Sequence, residues 1–268
     1  MTMRQLLRRL VGWAARLLRP RPPAMAGGAG TTPPAPPPSR LRRPLRARLV
    51  ALRTRLFANA ALIGAVAFAA LSWLVGAGHT AGIDLALARA VQAPEHPLVA
   101  ALMAAVSQLG FPPFSFLLVL GVAGAFLAAK RPMEAGLLTA AAAGSAVLAS
   151  GFQSLHARPR PEVGVLRVAS ELPYYSFPSG HTIMYVAFFG FLAYLGYTRL
   201  RPGRLRTLLL AALGALIVLV GPSRVYLGHH WPSDVLAAYA LGLVYLVVLV
   251  RLYARQQLAR VPTQALAV

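Results

Sequence analysis

Between Leu56 and Leu252 the chain is a series of apolar runs separated by short basic or polar segments. Crossing the hydrocarbon core of a bilayer takes about 20 apolar residues in helical form, and several of these runs approach that length. Only 12% of the 268 residues are charged and 57% are hydrophobic. A soluble domain carries about twice that charged share. The pattern predicts an all-α integral membrane protein, a bundle of six transmembrane helices. The expected spans are residues 56–75, 114–129, 135–152, 182–197, 208–220 and 235–252. Residues 83–92, "IDLALARAVQ", read as a short interfacial helix. "PLVAALMAAVSQLG" is too short to cross alone, so it re-enters or packs along the interface before turning at Gly110-Phe111-Pro112-Pro113.

Ahead of the spans, residues 1–20 place Leu6, Leu7, Leu10, Trp13, Leu17 and Leu18 at helical spacing, interrupted by five arginines. This predicts a basic amphipathic helix on an anionic membrane surface; an Arg-rich arm or a targeting peptide is the alternative. Residues 21–46 form a Pro-rich linker without a fold of its own. The remaining expected divisions are a six-span domain over 47–255, with the motif-bearing core at 95–255, and a cytoplasmic tail at 256–268.

The net charge of +21 raises the question of nucleic acid, but the basic residues are distributed as topology requires. With the N-terminus in the cytoplasm, segments 1–55, 130–134 and 198–206 and the tail from Arg251 hold 22 of the 27 Lys and Arg. That is the positive-inside pattern, with both termini cytoplasmic and no nucleic-acid partner. Arg89, Arg158, Arg160, Arg167 and Arg224 fall outside. Four of these five lie in polar segments beside the last four spans, which calls for a reason other than topology.

Three polar stretches share that outer side: "QSLHARPRP" (153–161), "FPSGHT" (177–182) and "SRVYLGHHWPSD" (223–234). Ionisable groups concentrated at a membrane interface are costly and mark function. Arginine forks match phosphate oxygens. Ser179 is placed to cap the fourth helix, and Gly180 admits close backbone approach, so the helix start is a second anion-binding element. A phosphate site is the simplest reading. The chain has no cysteine and no G-x-S-x-G elbow, and its five outside carboxylates are too scattered for a two-metal centre. A histidine nucleophile with a second histidine as acid is what remains, with no metal or cofactor. His230 stands four residues before Asp234, with Pro232 suited to the first helical turn. That spacing predicts the carboxylate on one ring nitrogen, leaving the other free to attack. His229 is expected to be a neighbour or a secondary phosphate contact.

These stretches resemble the three signature motifs of the type 2 phosphatidic acid phosphatase and haloperoxidase superfamily: K-x6-R-P, P-S-G-H and S-R-x5-H-x3-D. The second is met by Pro178-Ser179-Gly180-His181 and the third by Ser223, Arg224, His230 and Asp234. In the first, Arg160 and Pro161 match, but Gln153 occupies the lysine position. The resemblance covers roughly residues 95–255. It implies that His230 forms a phosphohistidine, Asp234 orients it and His181 protonates the leaving oxygen. Arg160, Arg224, Ser179 and Gly180 would hold the phosphate. Arg158 is the candidate replacement for the missing lysine; the alternative is a slow or altered enzyme. The function so implied is a metal-independent lipid phosphatase with its active site at the extracytoplasmic face of a bacterial-type cytoplasmic membrane. Candidate substrates are undecaprenyl diphosphate, phosphatidate and phosphatidylglycerophosphate. A phosphotransferase with an acceptor pocket, or a lipid-binding protein with a degenerate site, are the alternatives. His79, His96 and His156 match no motif position, and Glu162 and Glu171 read as loop charges.

Overall fold

The computed structural model describes residues 42–259, with side chains between 55 and 257. The expected surface helix, the linker as far as residue 41 and the end of the tail lie outside the described residues. Among the described residues there is no β-strand, only an isolated bridge between Val163 and Leu166. In chain order the helices are α1 (Arg42–Gly76), α2 (Ala81–Gln92), α3 (Pro97–Gln108), α4 (Phe114–Ala128) and α5 (Pro132–His156). Next comes α6 (Gly180–Met184), which continues through a π-helical segment, Tyr185–Phe189, into α7 (Gly190–Arg199). The last two are α8 (Arg204–Tyr226) and α9 (Pro232–Ala259).

Each of the six expected spans coincides with one of these helices or with the α6–α7 run. Among the described residues, four stretches are long and apolar enough to cross a membrane: Arg55–Gly76, Pro132–His156, Arg204–Tyr226 and Pro232–Gln257. α4 has 15 residues, which at 1.5 Å per residue is about 22 Å. The two shorter expected elements, at 83–92 and 97–110, are present as α2 and α3.

Several helices begin and end where local chemistry says they should. α3, α5 and α9 carry proline at the first position, where the missing N–H has no helical partner to lose. α3 is further capped by His96, whose Nδ1 accepts from the Leu98 N–H at 3.2 Å. α5 stops at Ala157, a residue in the left-handed region (φ 45°) whose N–H bonds to the Gln153 carbonyl at 2.9 Å.

α9 is the central element, packing on α1, α5, α6 and the π-helical segment. Its face toward them is small, with Ala237 and Ala238 fully buried, so the backbones approach closely. Leu138, Phe188, Phe191, Leu195 and Leu249 fill the core behind it. By contrast Leu62, Val66, Leu117, Leu120, Val147 and Val218 are exposed. Apolar side chains turned outward on the long helices are what a hydrocarbon surround requires.

The ends of the bundle differ sharply. At one end Glu134 is buried and takes Arg199 at 2.6 Å, Arg131 at 3.3 Å and the Tyr253 hydroxyl at 3.3 Å. At the other, the end of α5, the start of α6, the end of α8 and the start of α9 converge. The three motif stretches meet there.

Candidate active site

His230 sits in the loop between α8 and α9 and is almost fully buried. Its Nδ1 lies 2.8 Å from the Ser176 carbonyl oxygen. Its Nε2 lies 3.2 Å from Nη1 of Arg160. A carbonyl only accepts and a guanidinium only donates. Nδ1 therefore carries the ring proton, and Nε2 presents its lone pair.

Here the geometry departs from the sequence expectation. The Asp234 carboxylate is 3.7 Å from His230 Nδ1, too far for a hydrogen bond. Its oxygens are already occupied. Oδ1 accepts from Arg158 Nη1 at 2.5 Å, and Oδ2 accepts from the Ser176 hydroxyl at 2.5 Å and from the Trp231 N–H at 2.8 Å. The carboxylate folds back over the start of its own helix, and the Ser176 carbonyl takes the ring proton instead. Asp234 reaches the histidine through Ser176.

Arg158 also stands elsewhere than expected. Besides Asp234, its Nη1 donates to the Ser233 hydroxyl at 2.8 Å. Its Nη2 donates to Asp84 at 2.7 Å and to the Thr80 hydroxyl at 3.3 Å. The fork is consumed by two carboxylates and two hydroxyls, so a phosphate would have to compete with both carboxylates for it. Gln153, at the lysine position, donates from Nε2 to the Pro178 carbonyl at 3.1 Å, beside the P-S-G-H turn.

The other two arginines are differently disposed. Arg160 is held by carbonyls: Nε to Tyr174 at 2.5 Å, Nη2 to Tyr175 at 3.1 Å and Nη1 to His229 at 2.5 Å. Arg224 is fully buried, with its guanidinium carbon 4.8 Å from the centre of the Phe111 ring. Nη1 of Arg224 donates to the Ser107 hydroxyl, while Nε and Nη2 have no partner. Two further buried atoms without partners belong to the same cluster, His181 Nε2 and His229 Nδ1. Both rings pack edge-on against Phe111, at 4.4 Å and 5.8 Å. Buried polar atoms are almost always satisfied. Four unsatisfied ones gather around a single phenyl ring, two of them donors on a guanidinium.

Ser179 occupies the N-cap position of α6 and is fully buried, but its side chain makes no capping bond. Its hydroxyl accepts from Thr182 at 3.1 Å, and its N–H points to the Asp234 carbonyl at 3.3 Å. The expected cap is therefore absent, although Ser179 and Gly180 do stand at the junction of the motifs. The second histidine of the pair faces away from His230: His229 Nε2 lies 3.1 Å from the Ser170 hydroxyl. Gly228, at φ 69°, makes the turn just before the pair; a Cβ there would stand 2.1 Å from the Arg167 carbonyl oxygen.

Electrostatics keep both rings neutral. Burial, then the Arg160 and Arg224 cations, holds His230 well below the ordinary histidine range, against the opposing pull of the Ser176 carbonyl. Burial, then Arg224 and Arg160, holds His229 down at about 3. Burial lowers the Arg160 value as well, partly offset by Asp234. No group of three or more His, Cys, Asp or Glu that could hold a metal ion occurs among the described residues.

Sequence reasoning missed Asp84, Ser107, Phe111 and Ser176. Only Asp84 left a signal, as the single acid in a largely apolar helical run.

A buried neutral histidine faced by arginines, at the junction of these three motifs, defines a class of phosphate-handling membrane proteins, and the chain belongs to the PAP2 superfamily, whose family model matches residues 134–258. It is 30% identical over 176 residues to phosphatidylglycerophosphatase B of Bacillus subtilis (strain 168), a match spanning 64% of this chain and 85% of that relative. A transmembrane PAP2 type phosphatidylglycerolphosphate phosphatase from Bacillus subtilis shares the fold. Its crystal structure matches at TM-score 0.65 and 24% identity, over 73% of this chain and 96% of that one. Aquifex aeolicus LpxE matches at TM-score 0.51 and 24% identity, over 63% and 95%. The chain thus falls in the membrane lipid phosphatase branch of that family.

Proposed function

We propose that this protein hydrolyses a lipid phosphate at the extracytoplasmic face of a cytoplasmic membrane, through a phosphohistidine on His230 and without a metal ion. The observation that carries the reading is the protonation pattern of His230, with a proton on Nδ1 and a lone pair on Nε2 beside Arg160. His181, held neutral in the resting site by burial and then by Arg224, takes a proton from the entering phosphate monoanion. Nε2 of His230 attacks phosphorus, the bond from phosphorus to the lipid oxygen breaks, and His181 gives that oxygen its proton. The Ser176 carbonyl and, beyond it, Asp234 stabilise the charge that forms on the ring. His181, now neutral, takes a proton from a water that attacks the same phosphorus, the bond from phosphorus to Nε2 breaks and returns the lone pair to His230, and inorganic phosphate leaves. Arg160, Arg224, the Ser179 hydroxyl, whose proton is free while its oxygen accepts from Thr182, and the Gly180 N–H hold the phosphoryl oxygens. Arg160 must exchange its carbonyl partners for the substrate as it does so.

Phosphatidylglycerophosphate is the first candidate substrate, on the name of the Bacillus subtilis relative; phosphatidate and undecaprenyl diphosphate carry the same reacting group. Six helices crossing the membrane, with both termini inside, would set the site at the depth of a head group whose tails stay in lipid. The test is release of inorganic phosphate from these three lipids by purified protein in EDTA, beside His230→Ala. Turnover in chelator that is lost with His230→Ala is expected. Activity that needs added Mg²⁺, or that survives in His230→Ala, would overturn the reading. Reporter fusions at residues 165 and 203 should fall on opposite sides, with 165 external.

A second reading rests on a cleft of about 260 Å³ lined by Arg160, Glu162, Ser170, Glu171 and His229 among others. A hydroxyl compound seated there could accept the phosphoryl group in place of water. Phosphoglycerol formed when glycerol is added would support phosphotransfer; release of inorganic phosphate alone would exclude it.

A further inference from the structure

Asp84 lies on α2, fifty residues before the segment matched by the family model. It is only 2% exposed, and a carboxylate is held in such a place at considerable cost unless it is paired. Its partners are unusual. Oδ1 accepts the Ser233 N–H at 2.8 Å, and Oδ2 accepts the Ser233 hydroxyl and Arg158 Nη2, both at 2.7 Å. Ser233 is in the first turn of α9, so a side chain from α2 caps the helix that carries Asp234. Arg158 completes the connection, its other nitrogen lying 2.5 Å from Asp234 Oδ1. The result is one guanidinium between two buried carboxylates, with Trp231 against it at 5.7 Å.

From Asp234 the contacts lead on to the site. Its Oδ2 takes the Ser176 hydroxyl, and the carbonyl of the same Ser176 takes the Nδ1 proton of His230. We propose that Asp84 and Arg158 are positioning residues for His230, holding Asp234 and Ser176 so that Nε2 stays aimed at the phosphate site. This rests on His230 being the nucleophile. Without the guanidinium, Asp84 and Asp234 become two buried like charges with no cation between them, and one must turn away or take up a proton. Movement of Asp234 carries Ser176 with it, and a displacement of about 1 Å at a reacting atom costs roughly a hundredfold in rate.

The same charges predict a rescue. Asp84→Asn combined with Arg158→Gln removes one negative and one positive charge, restoring the balance around Asp234 that Arg158→Gln alone disturbs. The experiment uses the full chain in detergent micelles, with a short-chain phosphatidate as substrate and inorganic phosphate as inhibitor. Arg158→Gln should lower kcat about a hundredfold and Asp84→Asn about tenfold, with KM and the phosphate inhibition constant within about threefold. The double variant should exceed Arg158→Gln in kcat by about tenfold or more.

A double variant no better than Arg158→Gln overturns the proposal. So does a large rise in KM and in the phosphate constant at unchanged kcat, which would make Arg158 a phosphate ligand. Should Arg158→Gln fail to fold, Asp84→Asn decides: reduced kcat at unchanged KM and Tm supports the assignment, and unchanged kcat overturns it. His230→Ala, run in parallel, separates the two levels. Full activity there removes the site reading itself. An inactive His230→Ala beside an indifferent Asp84→Asn removes only the positioning role.

Discussion

Nη1 of Arg160 stands 3.2 Å from Nε2 of His230, so the cation proposed to bind the phosphate also donates to the lone pair proposed to attack it. The arrangement defines a resting state. A guanidinium against an imidazole is compatible only with a neutral ring, and burial together with Arg160 and Arg224 holds the ring in that form. On the proposed mechanism, a phosphate entering the site would draw Arg160 to itself and release the Nε2 lone pair in the same movement.

Neutral buried rings have a consequence for stability. A histidine whose folded value is depressed is protonated in the unfolded chain before it is protonated in the native one. Stability is therefore full above the ordinary value of about 6.5 and declines as pH falls through the window between there and the folded value. For His229 the lower bound of that window is about 3. Thermal unfolding in detergent should show a lower Tm at pH 5 than at pH 7.5. His229→Gln, which has no ring to protonate, should show a smaller drop over the same interval. An equal drop in both proteins would mean that His229 is not held neutral.

The two adjacent histidines should separate cleanly in kinetics. His230→Ala is expected to abolish turnover, and His229→Ala to keep most of it, since His229 faces Ser170 rather than the Ser176 carbonyl. His181→Ala should slow hydrolysis of a lipid phosphate severely but p-nitrophenyl phosphate much less, because p-nitrophenolate departs without a proton. Steady-state rates on the two substrates decide this. Equal losses on both would remove His181 from the acid role.

Gly110 offers a purely steric test. A Cβ at this position would lie 2.2 Å from Cδ2 and 2.8 Å from Nε2 of His181, well inside van der Waals contact. Gly110→Ala must push the ring off Phe111 and away from the site. A fall in kcat for the lipid substrate of about tenfold or more is expected, following the loss of general acid catalysis, with little change on p-nitrophenyl phosphate. The same selectivity as His181→Ala would identify the ring as the group displaced.

Much of the site was legible in the sequence because the motif residues carry their chemistry locally. The H-x-x-x-D spacing put His230 and Asp234 near one another, and the proline at 232 marked the start of α9. What stayed hidden depends on main-chain atoms or on distant helices. The acceptor on His230 is a carbonyl, which any residue possesses, so nothing in the letter Ser176 announces it. Arg158 looked like a phosphate ligand because it lies two residues from Arg160, yet its partners are Thr80 and Asp84 at the start of α2 and Ser233 and Asp234 at the start of α9, each more than seventy residues away in the chain. The helices were legible from hydropathy, whereas the π-helical segment at Tyr185–Phe189 has no pattern that distinguishes it from the α-helix on either side.

The position where this chain departs from the family pattern gives the last prediction. Gln153 donates to the Pro178 carbonyl at 3.1 Å, which places its side chain beside the turn carrying Ser179 and Gly180. Arg158 does not relieve the lost charge there, since both of its terminal nitrogens are bound to carboxylates. Gln153→Lys should keep the bond to Pro178, because an ammonium has three donors, and should bring a cation toward the phosphate. A single well-placed charge contact of this kind is worth roughly 2–4 kcal/mol to a transition state. An untuned one should deliver less, so the expected gain in kcat/KM is about tenfold. The measurement is kcat/KM for phosphatidate at fixed ionic strength, in Gln153→Lys and in Gln153→Met, which has similar length and no charge. A rise with lysine and not with methionine assigns the effect to the charge. No rise with lysine would mean that Arg160 and Arg224 already supply all the positive charge the phosphoryl group can use.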